Sequence, residues 1–97
     1  MFRSNPYLSF VRSQVCGAPS CMDKAEHAHH FARSAGGGGT ALKPHDTFTV
    51  PLCAHHHAEV HMYGGLEVFG RDASITEGHF YRIALRLITE FLGRQAA

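Results

Sequence analysis

No run of apolar residues in this chain approaches the ~20 needed to cross a bilayer, so the sequence predicts neither a membrane span nor a membrane partner. The opening residues, MFRSNPYLSF, lack the apolar core and the small-residue cleavage site of a secretory signal, and a cytoplasmic location is the expectation. Cysteine is scarce and odd in number, with Cys16, Cys21 and Cys53 alone. Metal ligation accounts for an odd number of cysteines, each with histidines within reach, better than a disulfide framework does. Charge is scarce too: 18% charged residues and a formal net charge of +1 create no bulk field for a polyanion, so any attraction for phosphate must come from local patches and bound metal. The four glycines at 36–39 lack the G-K-[ST] ending of a Walker loop, which leaves a flexible connection as their role.

Histidine, by contrast, is abundant. Pro51 to Gly64, PLCAHHHAEVHMYG, crowds Cys53, His55, His56, His57 and His61 into a segment that reads as a short helix. At ~100° of turn per residue, His57 and His61 share one face, one turn apart. His56 points roughly 100° away from His57, back to the side of Cys53. Cys53 and His56 thus form a C-x-x-H half-site suited to a closed structural zinc, and His57 and His61 form an H-x-x-x-H pair suited to a second, more open ion. His55 falls on the opposite face as solvent surface. A zinc protease would carry its glutamate directly after the first histidine of the pair, but Ala58 stands there, and Glu59 projects elsewhere. A chain of 97 residues buries a modest core and is often stapled, which favours a structural role for some of these ligands. The turn CGAPSC, with Gly17 and Pro19 between Cys16 and Cys21, can present two thiolates to one ion; with Cys53 and His56 it completes a Cys3His set.

The rest of the chain predicts a single α+β domain over residues 1–97. Alternation in Tyr7–Arg12, YLSFVR, reads as an N-terminal strand. A His-His pair follows in Glu26–Arg33, EHAHHFAR. Thr47–Val50, TFTV, suits a second strand, ended by Pro51. These pieces place the chemistry in one ββα unit. Residues 66–75 read as a loop or short helix. Phe80, Ile83, Ala84, Leu87, Ile88 and Phe91 recur at helical spacing as an amphipathic C-terminal helix, with Ser74 or Thr76 as cap, Glu77 near its start and Gly93 at its stop. That stripe serves as core or as a homodimer face, and His79 at the helix start reads as surface.

Y-L-x-F-V-R, two cysteines, A-H-H, a glycine-rich loop, L-K-P-x-D and P-L-C-x-x-H-H-x-x-x-H-x-x-G follow one another in this order. The pattern resembles the HNH endonuclease superfamily, in its small phage- and prophage-associated branch. The resemblance implies a zinc-stapled ββα-metal (His-Me finger) fold that hydrolyses DNA phosphodiester bonds with one divalent ion (Mg2+, Mn2+, Ni2+ or Zn2+), leaving a 5′-phosphate and a 3′-hydroxyl. It implies His29 as a metal ligand beside His57 and His61, His30 as general base, and Cys16, Cys21, Cys53 and His56 as the structural zinc set, with His56 in place of a more usual cysteine. The residue that orients the base has no plain counterpart. Asp46 is the nearest. Arg33 and Lys43 flank the site, either as contacts to backbone phosphates or as solvated loop charge. On so small a binding surface a partner protein could set the target. The rival from another class is a non-catalytic zinc-binding nucleic-acid or adaptor module with both sites closed.

Overall fold

The computed structural model describes residues 2–31, 45–73, 75 and 78–96. The first element is a helix, α1 (Asn5–Arg12), and not the strand that the alternation of Tyr7–Arg12 predicts. Six residues fit either period, and the residues just before them decide. Ser4 is extended and its hydroxyl accepts from the Tyr7 N–H at 3.1 Å, with proline in the first turn, a sound helix start. Tyr7 and Val11, four apart, then share a face and are fully buried.

Two strands form an antiparallel sheet, β1 (His27–His30) and β2 (Thr49–Leu52), with His27 opposite Leu52 and His30 opposite Thr49. The second strand lies two residues later than TFTV predicts and contains Pro51. Phe31 N–H donates to the Phe48 carbonyl at 2.9 Å; continuing that alternation places Pro51 where its nitrogen faces away from β1, so no ladder bond is lost. The Pro51 carbonyl accepts from Gly17 N–H at 2.7 Å. After Cys53 the chain turns directly into α2 (Ala54–Met62). Gly64 and Gly65, both at positive φ, lead into α3 (Leu66–Asp72), the short helix among the readings of residues 66–75.

The last helix, α4 (His79–Ala96), runs past Gly93. No cap geometry ends it there; a glycine in an exposed helix costs about 1 kcal/mol and does not by itself terminate one. The expected caps Ser74, Thr76 and Glu77 lie outside the described residues. The stripe on α4 is core. Phe80 and Ala84 join Val50, Leu52, Val60, Leu66 and Phe69 in one buried cluster, while Leu87 joins Tyr7 and Val11 in a second, with Phe10 and Phe91 alongside. The Tyr7 ring meets Phe91 edge-on at 5.1 Å. Among the described residues, no helix is long and apolar enough to cross a membrane.

Strand alternation gives the sheet two unlike faces. Ala28 packs on the α1–α4 cluster, whereas the neighbouring His29 turns to α2. Leu87 is the fully buried link between α1 and α4. Leu87→Ala is therefore expected to cost about 2–5 kcal/mol in urea unfolding; a loss under about 1 kcal/mol would mean that α1 is not docked as described.

Candidate metal centres and the histidine faces of the sheet

The first constellation is built by the knuckle between α1 and β1. Cys16 N–H donates to the Asp23 carbonyl at 2.8 Å and Cys21 N–H to Ala18 at 3.1 Å, which folds the CGAPSC turn back on itself. At Gly17 a Cβ would stand 3.2 Å from both Ile83 Cδ1 and the Pro51 carbonyl, so a side chain there would push the knuckle off the sheet. His79, expected on the surface, is instead half-buried with its Nε2 donating to the Gly17 carbonyl at 2.9 Å, an anchor for the same turn. Its contact lies across the fold, which local spacing does not reveal.

Cys53 meets this knuckle from the other side. It is the N-cap of α2, its sulfur accepting from the His56 N–H at 3.5 Å. One helical turn brings His56 Nδ1 to 3.3 Å from Cys53 Sγ and 3.5 Å from Cys16 Sγ. The four donors of Cys16, Cys21, Cys53 and His56 all lie within 4.8 Å of one another. Sulfur and nitrogen bound to one tetrahedral zinc are about 3.6 Å apart by ordinary bond lengths, so this set fits a single ion. All three cysteines are free thiols. Burial pushes the Cys16 thiol up to about 11, so an ion bound there would have to displace its proton.

The second constellation sits on the α2 side of the sheet. His29, His57 and His61 each bring a ring nitrogen within the same 4.8 Å limit, and His57 Nε2 lies 3.2 Å from His61 Nε2. Two imidazole nitrogens on a tetrahedral ion stand about 3.3 Å apart. The rings cross at 71°, 82° and 87°, so three lone pairs can converge without stacking. Burial and then the neighbouring His57 and His61 lower His29 to about 4, and burial with His27 and His61 lowers His57 as well. Both rings are neutral near pH 7, the form that binds metal. His55 lies away from this group, exposed and 3.2 Å from Glu59.

His30 leaves β1 on the opposite face. β1 pairs in regular register through His30, with no bulge to turn the two histidines together. Its Nε2 lies 2.8 Å from Asp46 Oδ1, and Asp46 is only 4% exposed. Burial alone would raise that carboxyl, but bonds from His30, the Ser4 N–H at 2.7 Å and Arg3 at 3.3 Å outweigh it and hold it below the usual carboxylate range. An ionised carboxylate can only accept, so His30 donates from Nε2, and in the neutral ring that tautomer leaves the lone pair on Nδ1. The structure thus brings Asp46 to His30, sixteen residues away. Arg33 and Lys43 lie outside the described residues.

The residue that sequence reasoning missed is His27. It precedes His29 by two positions and so shares its face, and its ring stacks on His57 with centroids 4.0 Å apart and planes 17° from parallel. The alternation H-A-H was the available signal.

Residues 1–64 match the family described as "Protein of unknown function (DUF968)", a stretch that includes α1, both strands, α2 and every candidate ligand. Among curated proteins, the "Uncharacterized protein YdfU" of Escherichia coli (strain K12) is 40% identical over 55 residues, 57% of this chain. The chain spans 15% of that relative's length. No solved structure matches.

The Asp46 cage gives a pH-dependent expectation. A carboxyl whose folded pKa is depressed adds stability that is present above its unfolded pKa of ~3.9 and is lost as pH falls through the folded value. Asp46→Asn should therefore be less stable than the parent at pH 7 by roughly 1.5–3 kcal/mol, with the gap narrowing on acidification below the ordinary carboxylate range. Urea unfolding across that range checks it; a gap independent of pH would show that the charge on Asp46 is not what secures the cage.

Proposed function

The chain belongs to the DUF968 family, and from that premise we propose that it is a metal-dependent DNA endonuclease of HNH type, its β1–β2–α2 unit being a ββα-metal fold. The observation that carries this reading is the division of labour across β1. Three imidazoles converge on one face, and on the other a single imidazole is fixed by a buried carboxylate.

In-line displacement at phosphorus puts the entering water and the leaving oxygen on opposite sides. A base and an ion held on opposite faces of one strand end suit that requirement, with the phosphate lying across the end of β1. His30 Nδ1 takes a proton from water as its oxygen bonds to phosphorus. The bond from phosphorus to the 3′-oxygen breaks, and that oxygen takes up a proton from solvent, leaving a 3′-hydroxyl and a 5′-phosphate. Asp46 holds the His30 tautomer and stabilises the imidazolium that forms. When bound at His29, His57 and His61, a divalent ion would supply positive charge to the phosphate and the departing oxygen. An all-imidazole set favours zinc or nickel over magnesium. Arg33 and Lys43 belong to the proposal as phosphate contacts, a protein partner as the part that sets the target, and a homodimer as the assembly.

The Cys3His group has a separate, structural role: a zinc ion there would pin the knuckle to the start of α2 and contribute directly to folding. Elemental analysis of the native protein should find tightly held zinc, and Cys53→Ser should unfold or aggregate. A zinc-free native protein together with a well-folded Cys53→Ser variant would dismiss that role.

Plasmid nicking across magnesium, manganese, nickel and zinc tests the activity itself. His57→Ala and His61→Ala should lose both nicking and affinity for the catalytic ion while remaining folded, and His55→Ala should lose neither. His30→Ala should keep ion affinity and lose about 10²- to 10⁴-fold in rate. A protein that fills both sites with zinc, binds DNA and nicks with none of these ions is the non-catalytic module instead.

A further inference from the structure

A metal-bound imidazole is normally oriented through its other ring nitrogen, which donates to a carboxylate, a carbonyl or water. For His57 no carboxylate or carbonyl among the described residues plays that part. Its Nε2 faces His61 Nε2 at 3.2 Å, and among the described residues its Nδ1 has no hydrogen-bond partner. The torsion that sets the imidazole plane is soft and roughly two-fold, so a ring whose Nδ1 is held by no protein acceptor, on a partly exposed helix face, would sample orientations that turn Nε2 away. What covers this ring is His27, nearly parallel at 4.0 Å and 17°. The other two imidazoles lie at 71° and 87° to it, so neither presses on its face in this way.

We infer that His27 is a positioning residue: by stacking on His57 it fixes the ring plane that aims Nε2 at the common point of His29, His57 and His61, a part that no protein hydrogen bond to Nδ1 plays among the described residues. His27 is not itself one of the converging donors. Among the described residues, only His29, His57 and His61 meet the 4.8 Å limit in that group. A ring parallel to His57 carries its lone pair in a parallel plane, alongside the ion and not at it. The backbone explains why this partner is available. His27 and His29 are alternate residues of β1 and stand on the face that α2 covers, so the strand that delivers one ligand also delivers the brace for another.

The inference rests on the reading of His29, His57 and His61 as an ion site, and a titration without DNA separates the two. Nickel is titrated calorimetrically into zinc-loaded protein for the parent, His27→Ala and His27→Phe, and the ligand-field spectrum of each nickel-loaded protein is recorded. Phenylalanine keeps a flat ring of similar size and removes both nitrogens. His27→Ala is expected to bind nickel roughly 3- to 10-fold more weakly, in line with the worth of one aromatic stack. His27→Phe is expected to bind within about 2-fold of the parent and to give the parent's spectrum. Equal losses in both variants, with a changed spectrum, would make a nitrogen of His27 a ligand and overturn the inference. Undiminished binding by His27→Ala would overturn it as well. A parent that takes up no nickel would remove the ion site itself, and this role with it.

Discussion

Cys53 is the corner on which this structure turns. It follows the last residue of β2, caps the first turn of α2, and lies with Cys16, Cys21 and His56 in one ligand-sized group. Because the cap sets where the helix starts, it also sets the phase of everything after it. His56 points back at the sulfurs, and His57 and His61 point at β1. A change in the angle of this corner would disturb both constellations together, which explains why the knuckle is held so firmly: Gly17 against Pro51, His79 against Gly17, and Ile83 filling the space beside them.

The second constraint is the two-residue alternation of β1. Four residues carry three histidines, and alternation sends His27 and His29 to α2 and His30 to the N-terminal side. The two sides are electrostatically unlike. On the α2 face, burial and mutual proximity of imidazoles hold rings neutral. On the other, a buried carboxylate dictates which nitrogen of His30 keeps its proton. The same side chain thereby stands in two unlike environments, and its chemistry on each side follows from the surroundings of the ring and not from its identity. The N-terminal segment shares in this, since Phe2 bonds with both His45 and Asp46 and the Ser4 N–H reaches the Asp46 carboxylate.

Much of this was written in the chain, and the physical reason is periodicity. Cys53-x-x-His56 and His57-x-x-x-His61 are spacings within one helix, so the side each ligand faces follows from 100° per residue alone. The alternation that separates His29 from His30 is likewise local. The stripe on α4 is legible for the same reason. Local pattern failed where it was short or where the far side of the chain mattered: six residues at Tyr7–Arg12 fit two periods, and only the Ser4 cap and the contact with Leu87 and Phe91 make them a helix. Pro51 looked like a stop because proline lacks a donor, but at its position in the register β1 asks for none.

By itself, then, the sequence determined which residues could act as ligands and which of them share an element's face, because spacing along a helix or strand is a property of the backbone. Only the tertiary structure decided which faces meet. It set Asp46 against His30, His27 over His57, His79 under Gly17 and the knuckle cysteines beside His56, contacts between distant segments that depend on how α1, the sheet and α2 pack. Packing is settled by the summed burial of side chains such as Tyr7, Leu52, Val60 and Leu87, and no local spacing encodes that sum.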